Sequence, residues 1–160
     1  MTAAVIERGA VLSDDGAYRY SLTRWWSAAG VVRWIMLNPS TADAEVDDPT
    51  IRRCIGFARA WGYGSIQVVN LFALRATDPR ELTRHPDPVG PDNDLWLIGR
   101  DQLTVPTITV CAWGAHPMAA RRVDAVLELL GRYRQIPHVL GLTKDNQPRH
   151  PLYLPDRLPP

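Results

Sequence analysis

The 160-residue chain is poor in cysteine and lysine and has no long apolar run: it carries only Cys54, Cys111 and, among its 18 cations, the single lysine Lys144. Two thiols cannot build a disulfide scaffold, lack the close spacing of a zinc site, and exclude a four-cysteine iron–sulfur cluster within one chain. Both sit among apolar neighbours and are read as core filling. The longest apolar stretches, 31–32 and 34–37, are broken by polar residues well before the ~20 residues of a membrane span. No transmembrane segment and no membrane partner are expected. Residues 1–8 lack the basic start and apolar stretch of a signal peptide, which sets the expectation of a cytoplasmic protein. No internal repeat is visible, and the arginine excess carries no functional conclusion.

At 46% hydrophobic and 22% charged, the composition excludes disorder and a collagen-like chain. The length suits one domain over 1–160, with a β-hairpin extension at 1–30 and a core at 31–155. A net charge of +1 argues against wholesale coating of nucleic acid. The charge is uneven, however: residues 36–115 hold 7 cations and 10 anions, and residues 116–160 hold 7 and 4. The carboxyl third is the basic part, although a solvated surface explains it equally well.

Beta-rich runs at 9–12 and 18–26 flank Ser13-Asp14-Asp15-Gly16, whose Asp-Gly pair predicts an amino-terminal hairpin. A buried strand is predicted at 31–37. Ile51, Cys54, Ile55, Ala58 and Trp61 recur at helical spacing over 49–61, with Asp48 as N-cap, Pro49 in the first turn, and Gly62 and Gly64 as stops. A strand at 65–72, a polar connection at 75–91 and a helix at about 92–103 follow. Then come a strand at 107–113, a helix at 117–131 with Ala120, Val123, Val126, Leu127 and Leu130 on its apolar face, and a short strand at 137–140. This alternation predicts a three-layer α/β/α sandwich with a mostly parallel central sheet. Trp25, Trp26, Trp34, Trp61 and Trp96 are read as packing, and a fully buried one needs a partner for its indole N–H.

In such sheets ligands bind beyond the carboxyl ends of the strands. The loops there read Leu37-Asn38-Pro39-Ser40-Thr41, Val69-Asn70-Leu71-Phe72, Ala112-Trp113-Gly114-Ala115-His116 and Pro148-Arg149-His150-Pro151. Two amides, a glycine that lets backbone approach a ligand, and a histidine would meet at one rim, a set able to recognise and polarise a heterocycle or sugar. Taken singly, each residue is ordinary. Asn-Pro starts turns, Asn70 could cap a strand end, and His-Pro occurs at His85, His116 and His150. His138 is read as a satisfied histidine, and Arg121 and Arg122 as solvated.

Nearly the whole chain, from about residue 18 to 153, resembles a bacterial and phage family, the domain-of-unknown-function 1643 family. The segments that carry the likeness are Met36-Leu-Asn-Pro-Ser-Thr-Ala-Asp43, Asp47-Asp-Pro-Thr-Ile-Arg-Arg53, Val69-Asn-Leu-Phe-Ala73, Asp87-Pro-Val-Gly-Pro-Asp92 and Pro148-Arg-His-Pro-Leu152. The same segments distantly resemble the motifs of the uracil-DNA glycosylase superfamily. Leu37-Asn38-Pro39 is similar to the motif that orients the attacking water, and Val68-Val69-Asn70 to the strand whose asparagine reads the base edge. Trp113-Gly114-Ala115 is similar to the turn after the third strand, and His150-Pro151 to the loop that contacts the base carbonyl and enters the minor groove.

That resemblance implies a uracil-DNA-glycosylase-like fold and a protein that recognises a nucleobase, possessing or lacking N-glycosidic hydrolase activity. Asn38 and His150 would be catalytic, Pro39, Ser40, Asn70, Phe72 and Gly114 would bind substrate, and Lys144 and Arg149 would grip nucleic acid. No metal and no cofactor are implied. The partner would be nucleic acid, DNA ahead of RNA, or a free nucleotide. Asparagine at position 38 cannot accept a proton, which keeps a non-catalytic module for modified bases or nucleotides open as the alternative. A third reading is magnesium-dependent phosphoryl transfer by Asp43, Glu45, Asp47 and Asp48.

Overall fold

The computed structural model describes residues 6–40, 45–99 and 106–155. Six strands form one sheet: β1 (Glu7–Leu12), β2 (Arg19–Trp25), β3 (Val31–Met36), β4 (Ser65–Asn70), β5 (Thr107–Cys111) and β6 (Pro137–His138). Their order across the sheet is β1-β2-β4-β3-β5-β6. The β3–β4, β3–β5 and β5–β6 pairs are parallel, and β1–β2 and β2–β4 antiparallel. The sheet is therefore only partly parallel, where the sequence suggested a mostly parallel one.

The reason lies in β2. Its Arg19, Ser21 and Arg24 are all buried. Gln67 Nε2 donates to Ser21 Oγ at 3.2 Å, and Arg24 Nε donates to Asp47 at 2.7 Å. With polar side chains accommodated inside the protein, β2 joins the sheet beside β4 instead of standing off as an extension. β1 pairs with it across a turn containing Gly16 at φ 71°.

Alternate residues of the central strands feed two cores. Val32, Trp34, Met36, Ile66 and Val68 pack with Ile51, Cys54, Phe57 and Ala58 of α1 (Pro49–Ala60). On the opposite face Ile35, Val69 and Cys111 pack with Leu97 of α2 (Asn93–Leu97) and with Val126 and Leu130 of α3 (Val123–Arg132). Both cysteines are core residues, and burial pushes the Cys111 thiol up to about 12 and Cys54 well above its ordinary value. Trp34 is fully buried against Trp61 and Phe57, with ring centroids 6.0 and 6.1 Å away. Its indole N–H has no partner among the described residues, contrary to the expectation that a buried tryptophan is satisfied.

Several elements are shorter than their hydrophobic pattern. The helix expected over 92–103 ends at Leu97, because Gly99 takes φ 83° behind a C-cap at Ile98. The segment expected as one helix over 117–131 splits into a 3-10 turn, Pro117–Arg121, and α3, joined at Arg122 with φ −127° and ψ −25°. Within α3 the buried face is narrower than the predicted one: Val126 and Leu130 are buried and Leu127 is 40% exposed. The strand at 137–140 is reduced to Pro137–His138. The connection at 75–91 contains a 3-10 turn, Pro79–Thr83, capped by Asp78.

Leu130→Ala should therefore destabilise the protein by about 2–5 kcal/mol, and Leu127→Ala should fall within about 0.5 kcal/mol of the parent. Urea denaturation midpoints compare the two, and equal losses would mean that the helix packs as one unbroken face.

Candidate functional site

The carboxyl ends of β3 and β4 open onto a cavity of about 240 Å³. Register places Met36 opposite Asn70. The chain leaving β3 thus enters its loop beside the last residue of β4, and Asn38, Ser40 and Asn70 line the same space. His150 completes the wall from near the far end of the sequence, with Trp113 behind β5.

Each of these side chains has a definite set of partners. Asn38 Nδ2 donates to the carbonyls of Pro39 at 3.0 Å and Ala76 at 2.9 Å. Two carbonyl acceptors fix which end of the amide is nitrogen, so the group Asn38 has left to offer is its Oδ1 acceptor. Asn70 is 2% exposed and lines the cavity, and among the described residues its side-chain amide makes no hydrogen bond. It keeps one donor edge and one acceptor for a ligand.

His150 is held by its own Nδ1, which accepts the Leu152 N–H at 3.2 Å and caps the 3-10 turn Pro151–Tyr153. Its neutral ring therefore carries the proton on Nε2. The same cap occurs at the other two His-Pro pairs, where His85 accepts from Asp87 N–H at 3.0 Å and His116 from Met118 N–H at 3.1 Å. The dipeptide encodes a turn, and only His150 adds a place in the cavity. Burial pushes its pKa below the usual imidazole value, with the carboxylate of Asp48 opposing in part.

The preceding segment seats this histidine. Leu142 and Pro148 form an antiparallel bridge, and Thr143 N–H donates to the Gln147 carbonyl at 2.8 Å across a turn with Asn146 at φ 58°. Trp113 Nε1 donates to Gln147 Oε1 at 3.0 Å, and Gly114 N–H to the Pro148 carbonyl at 3.0 Å, tying the loop to the end of β5.

Two charged residues also line the cavity, Arg19, which the sequence did not single out, and Asp48, weighed there as a helix cap and as one of four magnesium ligands. Arg19, at the start of β2, is buried, and burial first, then repulsion from Arg75, lowers its pKa to about 10, against the pull of Asp48. It remains a cation at neutral pH. Asp48 lines the cavity while its Oδ1 accepts the Ile51 N–H at 2.8 Å, so one oxygen caps α1 and the other is not engaged in that cap. The pattern at 48–49 is explained by the helix start, which is why the sequence ranked a ligand role for Asp48 last and gave it no place beside Asn38. Arg19 could be found only by knowing that β2 runs antiparallel to β4.

Other predicted site residues lie elsewhere. Phe72 is 3% exposed in the core beneath α2 and α3, because the chain turns at the end of β4 and hydrogen-bonds back to the Leu37 carbonyl. Pro39 is buried beside the site and contributes its carbonyl to Asn38 and to Ala76 N–H. Gly114, at φ 78°, lines a neighbouring hollow together with Arg149, and Lys144 is exposed in the turn at 143–147. Of the acidic group considered for magnesium, Asp43 lies outside the described residues, and Asp47 is held by Arg8 at 2.6 Å and Arg24 at 2.7 Å. Burial pushes the Asp47 pKa up, but those two arginines outweigh it and hold it below the usual carboxylate value. Among the described residues no three His, Cys, Asp or Glu side chains form a metal-holding group.

The depressed folded-state pKa of His150 fixes the sign of a pH effect. The unfolded chain binds the proton more tightly, so this contribution is fully present above about pH 6.5 and is lost as the pH falls through the folded value. NMR titration should return a His150 pKa below about 6.5 and the Nε2–H tautomer at neutral pH. An Nδ1–H ring, or a pKa above that value, would contradict the cap.

No curated protein and no solved structure matches the chain. A family model does match residues 19–152, under the description protein of unknown function (DUF1643), and the chain belongs to that family.

Proposed function

We propose that the cavity binds a nucleobase and hydrolyses its N-glycosidic bond, within a three-layer α/β/α fold of the uracil-DNA-glycosylase-like type. One observation carries this reading: Asn38, Asn70 and His150, far apart in the chain, line one cavity at the carboxyl ends of adjacent parallel strands. Packing of α1 on one face of the sheet and of α2 and α3 on the other supports the layered part. At about 240 Å³ the cavity is below the ~300–1,000 Å³ of drug-sized sites, which favours a single planar ring over a whole nucleotide.

Breaking the bond puts positive charge on the sugar and negative charge on the departing base. Asn70 would pair with the base edge through its free donor and acceptor. His150 Nε2–H and the Arg19 cation would oppose the negative charge on the base. Asn38 Oδ1 would accept a hydrogen bond from the proton that the attacking water keeps, and so aim the water's oxygen at the sugar carbon. As the new carbon–oxygen bond forms, the carbon–nitrogen bond breaks, its electron pair leaves with the base, and the water's other proton passes to Asp48. The carboxylate that position 38 lacks is thus supplied from the start of α1.

Oligonucleotides carrying uracil, hypoxanthine or bulky thymine modifications, incubated with the protein and then heated in alkali, test the reading. Strand scission is expected at one of these bases. His150→Ala should slow it ~10²–10³-fold, and Asp48→Asn, which keeps the helix cap, ~10²–10⁴-fold. The asparagine at position 38 favours one second reading, a binding module without turnover: base binding that is lost in Asn70→Ala while no abasic site ever forms would establish it.

A further inference from the structure

His150 is a shared wall. On its other side lies a second hollow of about 230 Å³, lined by Gly114, Ala115, Thr143, Arg149, His150 and Tyr153. We propose that this hollow is a phosphate and base-stacking subsite that receives the nucleotide next to the recognised base, so that the ligand of the site is single-stranded nucleic acid. The proposal rests on the nucleobase reading of the first cavity and adds the linked neighbour.

Three features of the hollow point to that chemistry. Arg149 is exposed, and among the described residues its guanidinium has no carboxylate or other side-chain partner. Its backbone is anchored, with the N–H donating to the Gly141 carbonyl at 3.0 Å, and its stem runs along Gly141, where a Cβ would come within 3.1 Å of Arg149 Cδ. Thr143 Oγ1 accepts from the N–H groups of Asp145 at 3.3 Å and Gln147 at 3.2 Å, so its hydroxyl hydrogen remains to donate. A cation without a carboxylate partner beside a hydroxyl donor suits a phosphate oxygen.

Tyr153 supplies the third feature. It is 75% exposed, although its ring lies 5.9 Å from that of His150. An aromatic face held open beside a cation is the combination that binds successive bases of a single strand. Arg149 and Tyr153 line the second hollow and not the first, so a base seated in the first cavity leaves both to a linked neighbour.

Fluorescence anisotropy with a labelled oligothymidylate of about ten nucleotides, a length within the usual range for a single-strand site, tests this. Thymidine monophosphate and the duplex of the same sequence serve as competitors. The single strand should bind at least tenfold more tightly than either. Tyr153→Ala should weaken it about 5–150-fold and Tyr153→Phe should not. Arg149→Ala should weaken it and flatten the plot of log affinity against log salt by ~0.7. Both positions are surface groups, and circular dichroism checks that the three variants fold.

Unchanged affinity in both Arg149→Ala and Tyr153→Ala overturns the subsite, as does a monophosphate or duplex that binds as tightly as the strand. The two readings fail differently. If Asn70→Ala abolishes binding and the Arg149 and Tyr153 variants do not affect it, the subsite falls and the base cavity stands. If the reverse holds, the strand-binding surface stands and the base reading falls. Absence of any binding overturns both.

Discussion

The site depends on one register. In the parallel pairing of β3 with β4, Met36 stands opposite Asn70, and alternation along β4 sends Val68 to the α1 side and Val69 to the side of α2 and α3. Asn70 therefore emerges on the α1 side, where the helix begins at Asp48. A slip of one residue would turn Val69 or Leu71 into the cavity and bury the amide in an apolar core. The hydrophobic alternation that stabilises the sheet is thus the same constraint that aims the amide, and Leu71 N–H and Phe72 N–H, donating to the carbonyls of Met36 and Leu37, extend that register beyond the strand.

The 71–76 segment carries the constraint outward in both directions. Ala76 receives the amide of Asn38, while Ala73 receives the backbone N–H of Arg19 and Arg75 N–H donates to the Ala17 carbonyl. One stretch of backbone thereby fixes a neutral acceptor from the parallel part of the sheet and a cation from the antiparallel part. The far wall is fixed independently, through Trp113 on Gln147 and Gly114 on Pro148, so His150 is seated by the end of β5 and not by the strands that carry Asn38 and Asn70. A cavity assembled from separately anchored walls holds its geometry without a ligand, which lowers the ordering cost of binding.

Much of this was legible in the sequence, and what was not has physical causes. The strands, α1 with its Asp48 cap, and the meeting of Asn38, Asn70 and His150 follow from periodicity, capping chemistry and the rule that ligands gather at strand ends. Phe72 was misplaced because a period of two says nothing once the strand has ended at Asn70. The break at Arg122 was missed because apolar spacing continues across it. β2 was assigned to a hairpin extension because the partners of its polar side chains, Gln67 and Asp47, lie more than twenty positions away. Arg19 was invisible for the same reason: pairing that is antiparallel and non-local leaves no trace in local sequence.

Stability alone does not account for the polar lining. Asn93 and Asn70 are both almost fully buried, at 0% and 2% exposure, but Asn93 donates to the carbonyls of Asn70 and Leu71 and so holds α2 against the strand end. Asn70 has no such use among the described residues. Its amide opens onto the cavity instead of being sealed in the core, and burying the Arg19 cation carries a desolvation cost that its lowered pKa registers. Leucine or methionine at both places would fill the space with less loss. An amide with its donor and acceptor open, a buried cation and a half-buried neutral imidazole line one cavity, and these are the groups that the proposed ligand would have to match.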